Sequence, residues 1–213
     1  MNVDKQSMVL YAVTDRAWLG EQSLAMQVEE CIKGGATFVQ LREKELDEEA
    51  FLAEAKRVKK ITDAYHIPFV INDNVEVALA CGADGVHIGQ NDLPASEVRR
   101  MIGSTKILGV SVQSVEQAIE AEKSGADYLG VGAVFSTSTK KDATAVSFDA
   151  LQEICHAVSI PVVAIGGINE KNAGELCGSG IDGIAVVSAI FSKPNIQQAS
   201  RELLAISQQV VSR

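Results

Sequence analysis

The sequence predicts a single (β/α)8 barrel, one α/β domain over residues 1–213, from three observations. Eight short apolar runs alternate with eight longer segments of helical periodicity. Four of the helical segments run out into closely similar phrases: Gly34-Gly35-Ala36, Cys81-Gly82-Ala83-Asp84-Gly85, Ser124-Gly125-Ala126-Asp127-Tyr128 and Ser179-Gly180-Ile181-Asp182-Gly183. Glycine there ends a helix in a left-handed cap and the next strand starts almost at once, which is a repeated (β/α) unit. No linker, low-complexity tract or break in composition interrupts the series, and this favours one closed barrel over a doubly wound sheet.

The strands are expected at Val9–Thr14, Phe38–Leu41, Phe69–Asn72, Gly85–Ile88, Ile107–Ser111, Tyr128–Val131, Val162–Ile165 and Gly183–Val187. Each is short and rich in Val, Ile and aromatic residues, as strands buried on both faces of a parallel sheet are. Helices are expected at Ser23–Lys33, Asp47–Tyr65, Val75–Cys81, Ala95–Ile102, Val115–Ser124, Phe148–Val158, Glu170–Ser179 and Ile196–Ser212. Several open on capping and acidic residues, Ser114-Val115-Glu116 and Ser96-Glu97 among them.

Composition narrows the function classes. Lys and Arg total 19 against 28 Asp and Glu, a net charge of -9. Nucleic acid and anionic membranes require basic surface, so neither is an expected partner. An anionic substrate must meet a local basic pocket or a metal. Cys31, Cys81, Cys155 and Cys177 are widely separated, with neither a C-x-x-C pair nor histidine at metal-ligand spacing. They read as thiols of a reducing compartment. Asn2 to Ser7 is polar, without the basic and apolar regions of a signal peptide, and no apolar run would span a bilayer. The expected location is the cytoplasm.

In a (β/α)8 barrel the active site lies where strands end and βα loops begin. The sixth strand enters a loop of Ser136, Thr137, Ser138, Thr139, Lys140 and Lys141, whose hydroxyl, backbone and ammonium donors suit a phosphate. Gln40-Leu41-Arg42-Glu43-Lys44 repeats the idea after the second strand. Two anion sites point to two phosphorylated ligands, although such loops also occur as plain solvated turns. Asp73 and Asp92 follow adjacent strands, and paired carboxylates without histidine or thiolate suit Mg²⁺. Both also suit N-caps of the helices near Val75 and Ala95. Gly166-Gly167 after strand seven and Val187-Ser188 after strand eight stand where barrels commonly bind phosphate. Gly130-x-Gly132 lacks the third glycine and the helix of a dinucleotide fingerprint. His87 reads as a satisfied core residue, His66 and His156 as helix-end residues, and Trp18 either covers a ligand or packs.

Seven blocks in order, within a match that spans Leu10 to Ile190, resemble the thiamine-phosphate synthase family. They are Leu10–Arg16, Gln40–Lys44, Ile71–Asp73, Ala83–Asp92, Gly109–Ser111, Thr137-x-Thr139-Lys140 and Ala164–Ile168. That family joins a pyrimidine-methyl diphosphate to a thiazole phosphate and releases pyrophosphate. The resemblance implies that Gln40, Leu41, Arg42, Glu43, Lys44, Asn72, Ser111 and Lys140 meet the pyrimidine diphosphate, with Arg42, Lys44, Lys140 and Ser111 assisting the chemistry. It implies one Mg²⁺ on Asp73 and Asp92, and the thiazole phosphate on Thr137, Ser138, Thr139, Gly167, Val187 and Ser188. The partners implied are two phosphorylated small molecules, with a homo-oligomer left open. One departure stands out: the family's G-P-x-F/Y-P-T pattern has Ala133 and Ser136 in place of its prolines. Two rivals remain, a thiazole tautomerase-like isomerase on the same barrel, with Gln113 near its histidine position, and a non-catalytic regulator that binds a thiamine precursor.

Overall fold

Side chains along a strand point alternately to opposite faces, so a strand in a closed barrel has one set facing the interior and one facing the helices. The computed structural model, which describes residues 3–137 and 145–212, has this architecture. Strands β1 (Leu10–Val13), β2 (Phe38–Leu41), β3 (Phe69–Asn72), β4 (Gly85–Ile88), β5 (Ile107–Val112), β6 (Tyr128–Val131), β7 (Val162–Ile165) and β8 (Gly183–Val186) form a closed, all-parallel barrel in sequence order. Tyr11, Val13, Phe38, Val70, Ile107, Tyr128, Val163 and Ala185 face inward and pack together with Val3 and Met8 from the segment that leads into β1. The alternate positions, such as Leu10, Val39, Leu41, Ile71, Leu108 and Ile184, join the larger core under the helices.

The helices are α1 (Leu24–Lys33), α2 (Glu48–Tyr65), α3 (Val75–Cys81), α4 (Ala95–Ile102), α5 (Val115–Lys123), α6 (Phe148–Ala157), α7 (Ser188–Phe191) and α8 (Ile196–Val211). Side chains of Ser23, Asp47, Asn74, Ser114, Ser147 and Asn195 accept a first-turn N–H in six of them. Among the described residues no helix is long and apolar enough to cross a membrane.

Two expectations need correction. The stretch 170–179 is not a helix but holds one 3-10 turn, Ala173–Leu176. Gly174 and Gly178 weaken a helix there by about 1 kcal/mol each. Asn169 and Asn172 also turn inward to the Gly167 carbonyl, at 3.2 and 2.9 Å. Ser96 does not cap α4, because it lies inside the first turn and the N-cap position is Pro94, which has no side-chain bond to offer.

The repeated phrase has a role beyond ending helices. Asp84, Asp127 and Asp182 each enter an even-numbered strand, and each carboxylate accepts an N–H from the start of the preceding strand: the first residue of β3 and β7, Phe69 at 2.9 Å and Val162 at 3.0 Å, and the second of β5, Leu108 at 2.9 Å. Each aspartate's own N–H returns a bond to the same residue's carbonyl. Thr37 makes the same reciprocal pair with Leu10. Four such clasps pin β2, β4, β6 and β8 to their predecessors at the end opposite the βα loops.

Candidate active site

The last inward positions of four consecutive strands turn polar. Gln40, Asn72, His87 and Ser111 stand one layer above Phe38, Val70, Gly85 and Gly109, and with them the barrel floor changes from hydrocarbon to hydrogen-bonding groups. They line a cavity of about 760 Å³, with Arg42, Ser136, Thr137, Gly167, Val187 and Ser188 higher up. Small-molecule sites occupy roughly 300–1,000 Å³, so the cavity falls within the range of a small-molecule site.

Charge gathers on one arc of the rim, after β2, β3 and β4. Arg42 is held at both ends: its N–H donates to Thr14 Oγ1 at 3.0 Å and its guanidinium donates to Asp15 at 3.2 Å. Lys44 Nζ lies 2.6 Å from Asp73 Oδ2. The Asp73 carboxyl is close enough to that of Asp92 to influence its ionisation. Burial, and beside it the Asp73 carboxylate, hold the Asp92 carboxyl above the usual range, although the Gly89 N–H donates to it at 2.7 Å. Neither aspartate is a helix cap: Asn74 accepts from Val77 to cap α3, and α4 begins after Pro94. Asp73 also takes a left-handed backbone, φ 63°, which an aspartate tolerates better than most residues.

The other residues expected with this arc are placed differently. Leu41 is fully buried and packs in the core under the helices. Glu43 is taken by Arg16, whose Nε and Nη2 both lie 3.0 Å from its Oε1. Leu41, Glu43, Lys44, Asp73 and Asp92 are outside the lining of the cavity, the last three at its rim.

The opposite wall is built from backbone. Gly166 and Gly167 have φ of 101° and 68°. A Cβ on Gly167 would fall 2.4 Å from the Ser136 carbonyl oxygen, and one on Gly166 2.5 Å from Ala133 Cβ. The segment after β6 is therefore laid directly on the β7 loop, and Val134 and Phe135 N–H groups donate to the Ile165 and Gly166 carbonyls, each at 3.0 Å. Helix α7 starts at Ser188 beside it, and the first N–H groups of a helix have no acceptor within it. Ser138, Thr139 and Lys140 lie outside the described residues.

Several lining residues have no counterpart in the expected set: Tyr11, Gln90, Gln113, Asn169, Lys171 and Lys193. Tyr11 was within reach of sequence reasoning, since it shares the inward parity of Val13 on a recognised strand. Lys193, paired with Glu170 at 2.9 Å, depends on how α7 folds back and had no local signal. His87 is buried inside the barrel and hydrogen-bonded through both ring nitrogens, to Tyr128 and Ser111.

Comparison with known proteins gives one consistent answer. The sequence profile of a family described as thiamine monophosphate synthase matches residues 10–190. Thiamine-phosphate synthase of Ruminiclostridium cellulolyticum is 56% identical over 202 residues, covering 95% of this chain and 96% of that one. The protein of the same name from Clostridium acetobutylicum is 52% identical over 205 residues, 96% of each chain. The solved thiamine phosphate pyrophosphorylase of Pyrococcus furiosus superposes with a TM-score of 0.90 at 40% identity, covering 98% of this chain and 99% of that one. A profile match from the first strand to α7, on a barrel whose polar floor and charged rim are intact, leaves one conclusion: the chain belongs to the thiamine monophosphate synthase family and is an enzyme of the transferase class.

Proposed function

We propose that this chain condenses 4-amino-2-methyl-5-(diphosphooxymethyl)pyrimidine with a thiazole phosphate, forming thiamine phosphate and pyrophosphate. The observation that carries the reading is the placement of two anion-suited regions on opposite sides of one polar floor. Arg42, Lys44, Asp73 and Asp92 follow β2 to β4, while Gly167, Val187 and Ser188 follow β7 and β8 across the closed barrel. A diphosphate on the first arc and a phosphate on the second would bring the organic parts of two substrates together over Gln40, Asn72 and Ser111.

The adjacent carboxylates of Asp73 and Asp92 fit one Mg²⁺, an ion that takes one or two protein carboxylates and completes its shell with water and substrate phosphate. When bound, Mg²⁺ would neutralise charge that develops on the departing diphosphate oxygens. Arg42 and Lys44, joined by Lys140, add cationic hydrogen-bond donors to the same oxygens. These bonds strengthen as charge accumulates, so they favour the transition state over the ground state. Ser111 and Asn72 orient the pyrimidine end. Thr137, Ser138 and Thr139, with the N–H groups near Gly167 and Ser188, hold the thiazole phosphate. The thiazole nitrogen then attacks the pyrimidine methylene as the C–O bond to pyrophosphate breaks, and the protein needs no nucleophile of its own. Holding both partners in line supplies much of the rate.

The test is pyrophosphate release by the purified protein, given the pyrimidine diphosphate and Mg²⁺, with the thiazole phosphate present or omitted. Release that requires all three, with thiamine phosphate as co-product, is the expected result. Isomerisation of the thiazole without pyrophosphate release would mean a tautomerase. Binding of either substrate without turnover would mean a regulator.

A further inference from the structure

A chain of hydrogen bonds crosses the barrel beneath the cavity. Gln40 Nε2 donates to the Tyr11 hydroxyl at 2.6 Å, and the Tyr11 and Tyr128 hydroxyls are 2.7 Å apart. Tyr128 Oη lies 2.9 Å from His87 Nδ1, and His87 Nε2 lies 2.9 Å from Ser111 Oγ. The two phenols are 1% and 0% exposed. Gln40 on β2 and Ser111 on β5 are 71 positions apart in sequence with two strands between them, yet three side chains join them. Space for the middle of the chain comes from Gly109, where a Cβ would stand 2.3 Å from Tyr128 Oη and 2.5 Å from His87 Nδ1.

Proton counting gives the chain a direction. Burial pushes both phenols well above the ordinary tyrosine range, so each hydroxyl keeps its one proton. Tyr11 Oη accepts from Gln40, so its own proton goes to Tyr128. Tyr128 then gives its proton to His87 Nδ1, which must be the unprotonated nitrogen of a neutral imidazole. The imidazole proton therefore sits on Nε2 and is donated to Ser111 Oγ. The Ser111 proton is left to point into the cavity, and at the other end the Gln40 carbonyl oxygen is left as an acceptor. The reverse direction would oppose two donors at Tyr11 unless the Gln40 amide turned over.

We infer that Gln40, Tyr11, Tyr128, His87 and Ser111 act as one polarised unit, in which Tyr11, Tyr128 and His87 are positioning residues that present Ser111 as a donor and Gln40 as an acceptor. The ligand class this floor reads is a polar molecule with an N–H or O–H group on the β2 side and an acceptor oxygen or ring nitrogen on the β5 side. A ligand with the opposite polarity meets like groups at both ends, and an unpaired buried donor or acceptor weakens its binding by about tenfold or more.

The first arm of the test needs no substrate. The chain has 3 histidines, so ¹⁵N-histidine NMR resolves few imidazoles, and the signal lost in His87→Gln is His87. The expected spectrum is a neutral ring with its proton on Nε2. In Tyr128→Phe, which keeps the ring and removes the hydroxyl, the Nδ1 resonance should move to the position of an acceptor without a partner, with a smaller movement in Tyr11→Phe. A wild-type ring protonated on Nδ1, or an Nδ1 signal indifferent to Tyr128→Phe, would overturn the inference. The second arm rests on the synthase reading. Tyr128→Phe should lower kcat/KM about tenfold in wild type but less than about twofold in Ser111→Ala, because no serine remains to be positioned. Equal losses in the two backgrounds would also overturn it. A wild-type protein that releases no pyrophosphate would remove the synthase reading and leave the NMR arm to decide.

Discussion

Gly167 and Gly82 form a matched pair for separating backbone conformation from site packing. Their φ values are 68° and 72°, so alanine at either carries the same left-handed penalty, about 1 kcal/mol. Their surroundings differ. Nothing lies within 4 Å of a Cβ on Gly82, which caps α3 on the face away from the site. A Cβ on Gly167 would meet the Ser136 carbonyl oxygen at 2.4 Å and Phe135 Cβ at 2.9 Å, so the segment leading to Thr137 must give way. Displacing packed backbone adds about 2 kcal/mol, for a total of about 3 kcal/mol. In a chain of this size Gly82→Ala should lower Tm by roughly 2–4 °C and Gly167→Ala by roughly 6–12 °C. Urea denaturation with a thermal scan reads the stability difference, and pyrophosphate release below the transition reads function. Gly82→Ala should retain wild-type kcat/KM, while Gly167→Ala should lose at least about tenfold, because displacements near 1 Å at a reacting site are that damaging. If the two variants lose equal stability and Gly167→Ala keeps full activity, the close approach of the two loops is not part of the site.

Three further outcomes are expected. Arg99 donates to the carbonyls of Gly103, Lys106 and Gly125 and to Asp127 Oδ2 at 2.5 Å. Arg99→Ala should therefore cost about 3 kcal/mol by denaturation, with activity intact at low temperature, and Arg99→Lys should recover only part because the guanidinium fork is lost. Asp73→Asn and Asp92→Asn should each raise the Mg²⁺ concentration for half-maximal pyrophosphate release about tenfold without lowering Tm; full activity in both at limiting Mg²⁺ would remove the metal assignment. Tyr11 and Tyr128 are held protonated in the fold, above the ordinary value of 10.0. Their contribution to stability is fully present below that value and is lost as pH rises above it. The fall of unfolding free energy above about pH 10 should be shallower in Tyr11→Phe and Tyr128→Phe than in wild type, and equal slopes would contradict this assignment.

What the sequence could reveal follows from range. The strands were legible because a buried parallel strand is a short unbroken apolar run, and β2, β3, β4, β6 and β7 fall on their expected bounds. The rim was legible because strand ends fix which residues reach it, and this placed Arg42, Asn72, Ser111 and Gly167 on one cavity. Stretch 170–179 was misread because the Gly167 carbonyl that captures Asn169 and Asn172 is itself positioned by β7. Glu43 was read with its neighbours Arg42 and Lys44 as one cluster, and its pairing with Arg16 had no local signal because Arg16 comes from another strand's loop. The repeated aspartates were visible as a pattern, but their function, accepting an N–H at the start of the preceding strand, exists only once strands are paired.

The charged arc bears on how so acidic a chain could hold an anion. With net charge -9, long-range steering would not favour a phosphate, but that field is screened over about 8 Å at physiological salt and local geometry decides. Around Arg42 that geometry is a crossed ladder: Asp15 pairs with Arg42 and the next residue, Arg16, pairs with Glu43, the residue after Arg42. Partly exposed pairs of this kind contribute little to stability. Their effect is on order, because Arg42 is fixed by Thr14 at its backbone and by Asp15 at its guanidinium before a ligand arrives. An immobilised arginine otherwise gives up about 1.5–2 kcal/mol of rotamer freedom on binding. The carboxylates that make the chain acidic here hold its cations in place, which on the proposed reading orders the arc before a diphosphate arrives, and a neutral Asp15→Asn would keep the charge of Arg42 while loosening its aim.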